Sequence, residues 1–419
     1  MATYVYAGIR PNSVLWSKNP ILHSFDFSNA DPAAMLQVQF INTLTGALIG
    51  QMNFPFAGGT ITSTTGGVLA GTIYCYADKL LDANVSYAMP LMSTPYVGQI
   101  QYAGYANLNY YVQFRVYGPG ELTDSWTLAD GYKAYKVLKG GLGDMNTILE
   151  KSPNYGTPWH YVAGTFLPDV NQGNRWLTWA PDGRSIAPDE VSWLMYFSDV
   201  ASTAQQVKYY VTYLDGSVAW FSYALPNYSL TSFLYESWYV PIGIQQAGLD
   251  PTNKGVANVS VLIDGWTPGY VYSYKVDYRP RWKSMNLFYR NSFGALDNIM
   301  LRGVIERKND IQKFEMEQSR TDPATNDGPN PFFLAKQRPG WKVNTGYISE
   351  KHITALNDLL HTSYAAVIVN GNYMHMRVPA QKISYISTKD SLHNIGVEIE
   401  LAGTLTSYPH QLMNFINNL

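Results

Sequence analysis

The sequence predicts a mainly β protein: two N-terminal β-sandwich-like units, followed by a C-terminal α+β unit in which one clear helix packs on an antiparallel sheet. Three observations lead there. Aromatic residues make up 14% of the 419-residue chain and charged residues also 14%, with 33 tyrosines, a balance that suits strands and contact surfaces better than solvated helices. Apolar and polar residues alternate with period two in segments bounded by Gly, Pro, Asn and Ser clusters. Composition also changes near residue 280, because 27 of the tyrosines precede it. A chain of this length holds more than one core, and the expected units are 1–140, 141–280 and 281–419.

In the first unit, Met35–Ile41 and Tyr110–Tyr117 alternate as half-buried strands do. The stretch Gly58–Gly67 is polar and glycine-rich, which predicts an exposed loop or hairpin tip. In the second unit, Lys208–Leu214 and Val218–Tyr223 flank Asp215-Gly216-Ser217, a hairpin signal because such turns need positive φ. Val259–Gly265 and Tyr270–Val276 read as further strands. Whether these first two units share one core is left open by the pattern.

The third unit mixes periods. Ile299–Ile305 and Lys313–Glu317 read as paired strands, and Thr321–Pro331 as a loop. Ser349 then reads as an N-cap and Glu350 as its dipole partner, with Ile353, Leu356, Leu359 and Leu360 on one apolar stripe. Ala366–Val369 and Asn372–Val378 flank Asn370-Gly371, a second hairpin signal, and Asn394–Leu401 alternates again. Leu412, Ile416 and Leu419 suggest a short terminal helix.

The net charge of −2 gives no electrostatic reason to expect nucleic acid. Cys75 is the one cysteine, so neither an internal disulfide nor a thiolate-pair zinc site can form. No apolar run approaches the roughly 20 residues that span a bilayer, and Met1–Tyr6 lacks a signal-peptide pattern. The expectation is synthesis in a cytoplasm without membrane insertion.

Catalytic patterns are sparse. Gly140-Gly141-Leu142-Gly143-Asp144 lacks phosphate-loop spacing and reads as a loop. His352 and His361 are too far apart for a helical metal pair. Glu398 and Glu400 share a strand face and read as a solvated polar face rather than an acid–base pair. Asp189-Glu190 reads as a turn or strand entry, and Cys75 as a small buried hydrophobe. The expectation is no enzyme, cofactor or metal. Aromatic residues offer one alternative, a non-catalytic glycan-binding surface on which sugars stack, with Trp176, Trp179 and Tyr110 as platform candidates beside Tyr102, Tyr105 and Tyr111.

The stretch Leu287-Phe288-Tyr289-Arg290-Asn291-Ser292-Phe293-Gly294-Ala295-Leu296-Asp297 places an aromatic residue, Asn, Gly and Asp at fixed intervals. With Val343-Asn344-Thr345-Gly346-Tyr347-Ile348-Ser349-Glu350 leading into the helix, Val367–Gly371, Val397–Leu401 and the early Trp16-Ser17-Lys18-Asn19-Pro20-Ile21, it resembles tail and baseplate structural proteins of tailed bacteriophages, those of Bacteroides- and Flavobacterium-like hosts in particular. The resemblance spans about the last 140 residues and the first 30, with Tyr289 where Trp or Phe is usual. It implies a virion protein of the distal tail or baseplate. Such a protein forms a homo-oligomeric ring or adaptor that joins the tube to fibres or receptor-binding proteins and serves host attachment. On that reading Arg290, Asn291, Gly294, Asp297, Trp341, Asn344 and Gly346 mark an assembly scaffold, Gly294 permitting a turn around which Asn291 and Asp297 bond the backbone.

Overall fold

A computed structural model gives a mainly β protein. It describes residues 3–6, 14–18, 21–65, 67–87, 89–92, 98–118, 126–129, 135–141, 176–198, 205–226, 236–264, 271–278, 284–303, 305–316, 332–349, 352–369, 371–381 and 392–403. The expected loop at Thr321–Pro331 and the terminal helix around Leu412 lie outside these residues.

The N-terminal strands are β1 (Thr3–Tyr6), β2 (Val14–Trp16), β3 (Leu22–Ala30), β4 (Met35–Asn42), β5 (Leu48–Pro55), β6 (Thr60–Thr65) and β7 (Val68–Tyr76). After helix α1 (Asp78–Asn84) come β8 (Gln101–Tyr102), β9 (Asn107–Tyr117), β10 (Thr127–Leu128) and β11 (Tyr135–Leu138). All but β8 form one sheet of order β1-β3-β7-β6 and another of order β2-β11-β9-β4-β5, with β10 on β9. Period two is the reason they face each other. Every second residue of β9, from Leu108 to Val116, is buried, and these meet Phe25, Phe27, Ile73 and Cys75 of the other sheet in one core. Gly58–Gly67 is not a loop throughout. Thr60–Thr65 pairs with β7 as an exposed edge strand, because Thr and Ile favour the extended backbone enough to join a neighbouring edge.

The middle strands are β12 (Arg184–Ile186), β13 (Trp193–Phe197), β14 (Gln206–Tyr213), β15 (Val218–Ala224), β16 (Ser237–Pro241), β17 (Val256–Asp264) and β18 (Tyr272–Val276). Five of them form a sheet of order β12-β18-β17-β14-β15, whereas β13 and β16 pair with β8 of the N-terminal region. Both β13 and β16 are buried throughout. Leu194, Tyr196, Trp238 and Val240 enter the core beneath the five-stranded sheet. Their alternating neighbours Trp193, Met195, Phe197 and Tyr239 enter a different core with Trp16, Ala103, Leu138, Phe288, Phe293 and Leu296. This second core draws residues from all three parts of the chain.

The C-terminal strands are β19 (Met285–Arg290), β20 (Leu296–Leu301), β21 (Ile305–Met316), β22 (Phe332–Ser349), β23 (Ala365–Val369), β24 (Asn372–Arg377) and β25 (Leu392–Leu401), with helix α2 (Ile353–His361) before β23. They form an antiparallel sheet of order β20-β19-β23-β24-β25-β22-β21. Ile353, Leu356 and Leu359 of α2 pack with Leu287, Tyr289, Val343, Val367 and Ile399. The segments Ile299–Ile305 and Lys313–Glu317 do not pair with each other. Residues 296–301 pair with β19, and β21 runs unbroken to pair with β22 from Ile305↔Val343 to Met316↔Phe332. β25 joins β22 only from Gly340 onward, so the far part of the β21–β22 hairpin is a two-stranded ribbon among the described residues. Ser349 is not the N-cap. It ends β22 and bonds His352 through Ser349 Oγ···Nδ1 at 3.0 Å, because pairing with Leu392 keeps its backbone extended.

Candidate functional site

The stretch from Leu287 to Asn298 forms β19, a tight turn and β20, and the turn lies where the three parts of the chain meet. Gly294 adopts φ +77°, its N–H donates to Asn291 O at 2.9 Å, and Asn291 N–H donates to Ala295 O at 2.9 Å. Asn291 Oδ1 accepts from Ala295 N at 2.9 Å, while its Nδ2 donates to Asp297 Oδ2 at 2.9 Å and to Leu177 O at 2.8 Å. The side chain therefore closes the turn and reaches into the middle region.

Each neighbouring residue does something similar. Gly141 N–H donates to Ser292 O at 2.7 Å, and a Cβ on Gly140 would strike the backbone of residues 292–294. Trp179 donates its indole N–H to Ser292 Oγ at 2.6 Å and stacks on Phe293 at 4.6 Å between centroids. Trp179 N–H also donates to Asp297 Oδ2 at 3.3 Å. Ser292 N–H donates to Asp358 Oδ2 of α2 at 2.7 Å. The Arg290 guanidinium lies over the Tyr87 ring at 3.5 Å and the Tyr364 ring at 4.4 Å, a cation–π sandwich joining the N-terminal region to β19.

A second polar cluster lies beside the first. Arg184 donates to Asn298 O at 3.1 Å, to Asn298 Oδ1 at 3.2 Å and to Ser192 Oγ at 2.5 Å. Asn298 Nδ2 donates to Glu190 Oε1 and Asn286 Oδ1, both at 2.8 Å. All of these except Asn286 are buried. Burial works against the Arg184 charge, but Tyr272, Glu190 and Asp297 more than offset it and raise its pKa. Burial raises the Asp297 carboxyl above the usual range, and raises Asp358 to about 6. Burial also lowers Arg290. A buried, mutually bonded set of this kind fixes one geometry.

Of the other sequence candidates, Trp341 is buried in the core that α2 shares with the sheet. Asn344 O accepts from the N–H groups of Arg302 and Gly303 at 3.1 and 3.0 Å. Gly346, with φ +69°, sits in a bulge where β22 shifts register against β25. This second group stiffens the C-terminal sheet and stands apart from the junction.

The aromatic platform is corrected. Trp176 and Tyr110 are fully buried, so neither presents a ring to a sugar, and the half-buried Trp179 has one face stacked on Phe293. Tyr102 is half-buried and donates its hydroxyl to Glu236, and the side chain of Tyr105 lies outside the described residues. The exposed rings are elsewhere: Trp220 is 62% exposed and pairs with Tyr210 at 4.5 Å on the outer face of β14 and β15. Glu398 and Glu400 pair with Lys308 and Arg338. Among the described residues no cluster of three His, Cys, Asp or Glu side chains could hold a metal, and no helix is long and apolar enough to cross a membrane.

Lys139, Arg184, Ser192 and Asp358 were silent in the sequence, while Gly140 and Glu190 were read only as parts of a loop and a turn, and the structure places both at the junction. Their partners lie far away in the chain, and single polar residues among strands carry no local signal. The chain matches no protein-family model and no curated protein.

Proposed function

We propose that the chain is a structural virion protein of a bacteriophage tail: an oligomeric ring or adaptor at the distal tail or baseplate that connects the tube to fibres or receptor-binding proteins. On this reading it is made in the host cytoplasm and acts without catalysis. The observation that carries the reading is the use made of the segment resembling such proteins. Asn291 and Asp297 spend their side chains on each other and on backbone of the middle region, while Gly294 leaves room for the N-terminal backbone at Lys139, which suits a scaffold. The purified chain, imaged by electron microscopy alone and with tail proteins, is expected to form discrete closed assemblies or to decorate tail ends. A strictly monomeric chain with no affinity for tail proteins overturns the proposal.

A second reading, non-catalytic glycan binding, is favoured by the exposed Trp220–Tyr210 pair, beside which Ser222 Oγ donates to Gln206 Oε1 at 2.7 Å. A glycan array tests it, with binding lost in Trp220→Ala expected and no binding at all decisive against it.

A further inference from the structure

β15 ends the five-stranded sheet, and among the described residues no strand pairs with its outer edge. The hydrogen bonds flanking the β14–β15 pairing set its phase. Tyr213 N–H donates to Ser217 O at 2.9 Å, and Leu225 N–H donates to Gln205 O at 3.0 Å. Odd-numbered residues of β15 therefore bond to β14, whereas the N–H and C=O groups of Val218, Trp220, Ser222 and Ala224 point away from it.

This edge lacks the devices that keep edges apart. Val218-Ala219-Trp220-Phe221-Ser222-Tyr223-Ala224 contains no charge and no proline, whereas charged residues and proline are the usual protection. β21, one edge of the C-terminal sheet, carries Glu306, Arg307 and Lys308. The β5 edge has Leu80 of α1 against Gly50. On β15 and its turn, Trp220, Leu214, Val218 and Tyr223 are 62%, 62%, 53% and 43% exposed.

A cleft of about 460 Å³ opens beside the far end of the strand, lined by Ile100, Tyr209, Ser222, Tyr223, Pro226 and Ala247. The five-stranded sheet is wider than the three-stranded sheet opposite it, and the cleft lies beside the overhanging strand.

We propose that β15 pairs antiparallel with β15 of a second copy, through the outward groups of Val218, Trp220, Ser222 and Ala224. A two-fold axis at Phe221 sets Trp220 opposite Ser222 and Val218 opposite Ala224 of the other copy. All outward groups are then used, and the sheet continues through both chains. The strand is its own complement because it is uncharged along its length. Pairing covers the exposed parts of Val218, Trp220 and Tyr223 together with the outward backbone of the strand. The two-fold also places the inward side chains of the second strand over the cleft. This inference does not rest on the virion reading.

The test is sedimentation of the full chain over a range of concentrations, with amide hydrogen exchange read at residues 218–224. The wild type is expected to dimerise, with slow exchange at Trp220 and Ser222 that becomes fast on dilution. Trp220→Lys adds a charge to the edge. Ser222→Pro removes an N–H that β14 does not use, so its folding is preserved. Each is expected to weaken dimerisation at least about tenfold, with unchanged circular dichroism. A wild type that stays monomeric overturns the proposal, as does glycan binding by a monomer that is lost in Trp220→Lys. A larger assembly that survives both variants also overturns it while leaving the virion reading standing.

Discussion

The backbone of Gly294 lies against the carbonyl oxygen of Lys139 so closely that a Cβ on residue 294 would stand 1.7 Å from it. Contact between residues so distant in sequence leaves no room for a side chain, and φ of +77° independently disfavours one. Gly294→Ala is expected to lower stability by about 3 kcal/mol or more. Gly216 is the control, with φ of +81° but nothing near the Cβ position. Its alanine variant is expected to cost about 1 kcal/mol. Chemical denaturation of both variants measures the difference, which is the contribution of the close approach alone.

Asn298→Ala removes the side-chain partner shared by Arg184, Glu190 and Ser192. A buried charge that loses a partner is costly, and a loss of about 3 kcal/mol is expected. The same substitution at Asn53, an edge residue of β5 with an exposed side chain, is expected to cost less than about 1 kcal/mol. Urea titration separates the two.

His23 is fully buried between the Tyr6 hydroxyl at 2.7 Å and the Tyr110 hydroxyl at 3.1 Å, and burial lowers its pKa from 6.5 to about 3. Between these values the unfolded chain binds a proton that the folded chain does not. Its contribution is therefore complete above 6.5 and is lost as pH falls toward 3, at up to about 1.4 kcal/mol per pH unit. His23→Gln is expected to flatten that acid limb in pH-dependent unfolding.

Asp358 has the opposite sign. Burial raises its folded pKa from 3.8 to about 6, so the folded chain holds the proton more tightly, and stability falls as pH rises through this window. Asp358→Asn keeps an acceptor for Ser292 N–H and removes the charge. A gain of about 1–3 kcal/mol at pH values above 6 is expected, vanishing below 3.8.

Trp176→Ala tests the corrected platform. The side chain is buried against Tyr196 at 5.5 Å between centroids, so a loss of about 3–5 kcal/mol is expected. At dilutions where the chain is monomeric, Trp220→Ala is expected to change stability by less than about 1 kcal/mol, because its ring is mostly in solvent. Thermal unfolding of the two variants distinguishes a core ring from a surface one.

Period two was readable wherever a strand has one wet face. β9, β14 and β25 follow it, and the apolar stripe of α2 was equally plain. The pattern fails for β13 and β16, whose residues are buried throughout because both faces are covered. Nothing local says that the faces belong to different cores. The turn chemistry of Asn291, Gly294 and Asp297 was visible because it is contained within a few residues. Its other half was not, because Leu177 O and Lys139 O are backbone groups that any residue type could supply. Trp176 and Trp179 illustrate the same limit: composition gives the presence of rings, and only packing says which face solvent.

The sharing of β13 and β16 between two cores also governs how the chain bears force. A pull separating the N-terminal region from the middle acts on the β8–β16 pairing, at Tyr102↔Trp238 and Gln101↔Tyr239. Neither strand of the β13–β16 pair can be drawn out without exposing side chains on both faces at once. The molecule should therefore yield under tension in a single event, with the junction acting as a rivet rather than a hinge. Stretched end to end, it should give one dominant rupture, and Asn298→Ala should lower the force at which that rupture occurs.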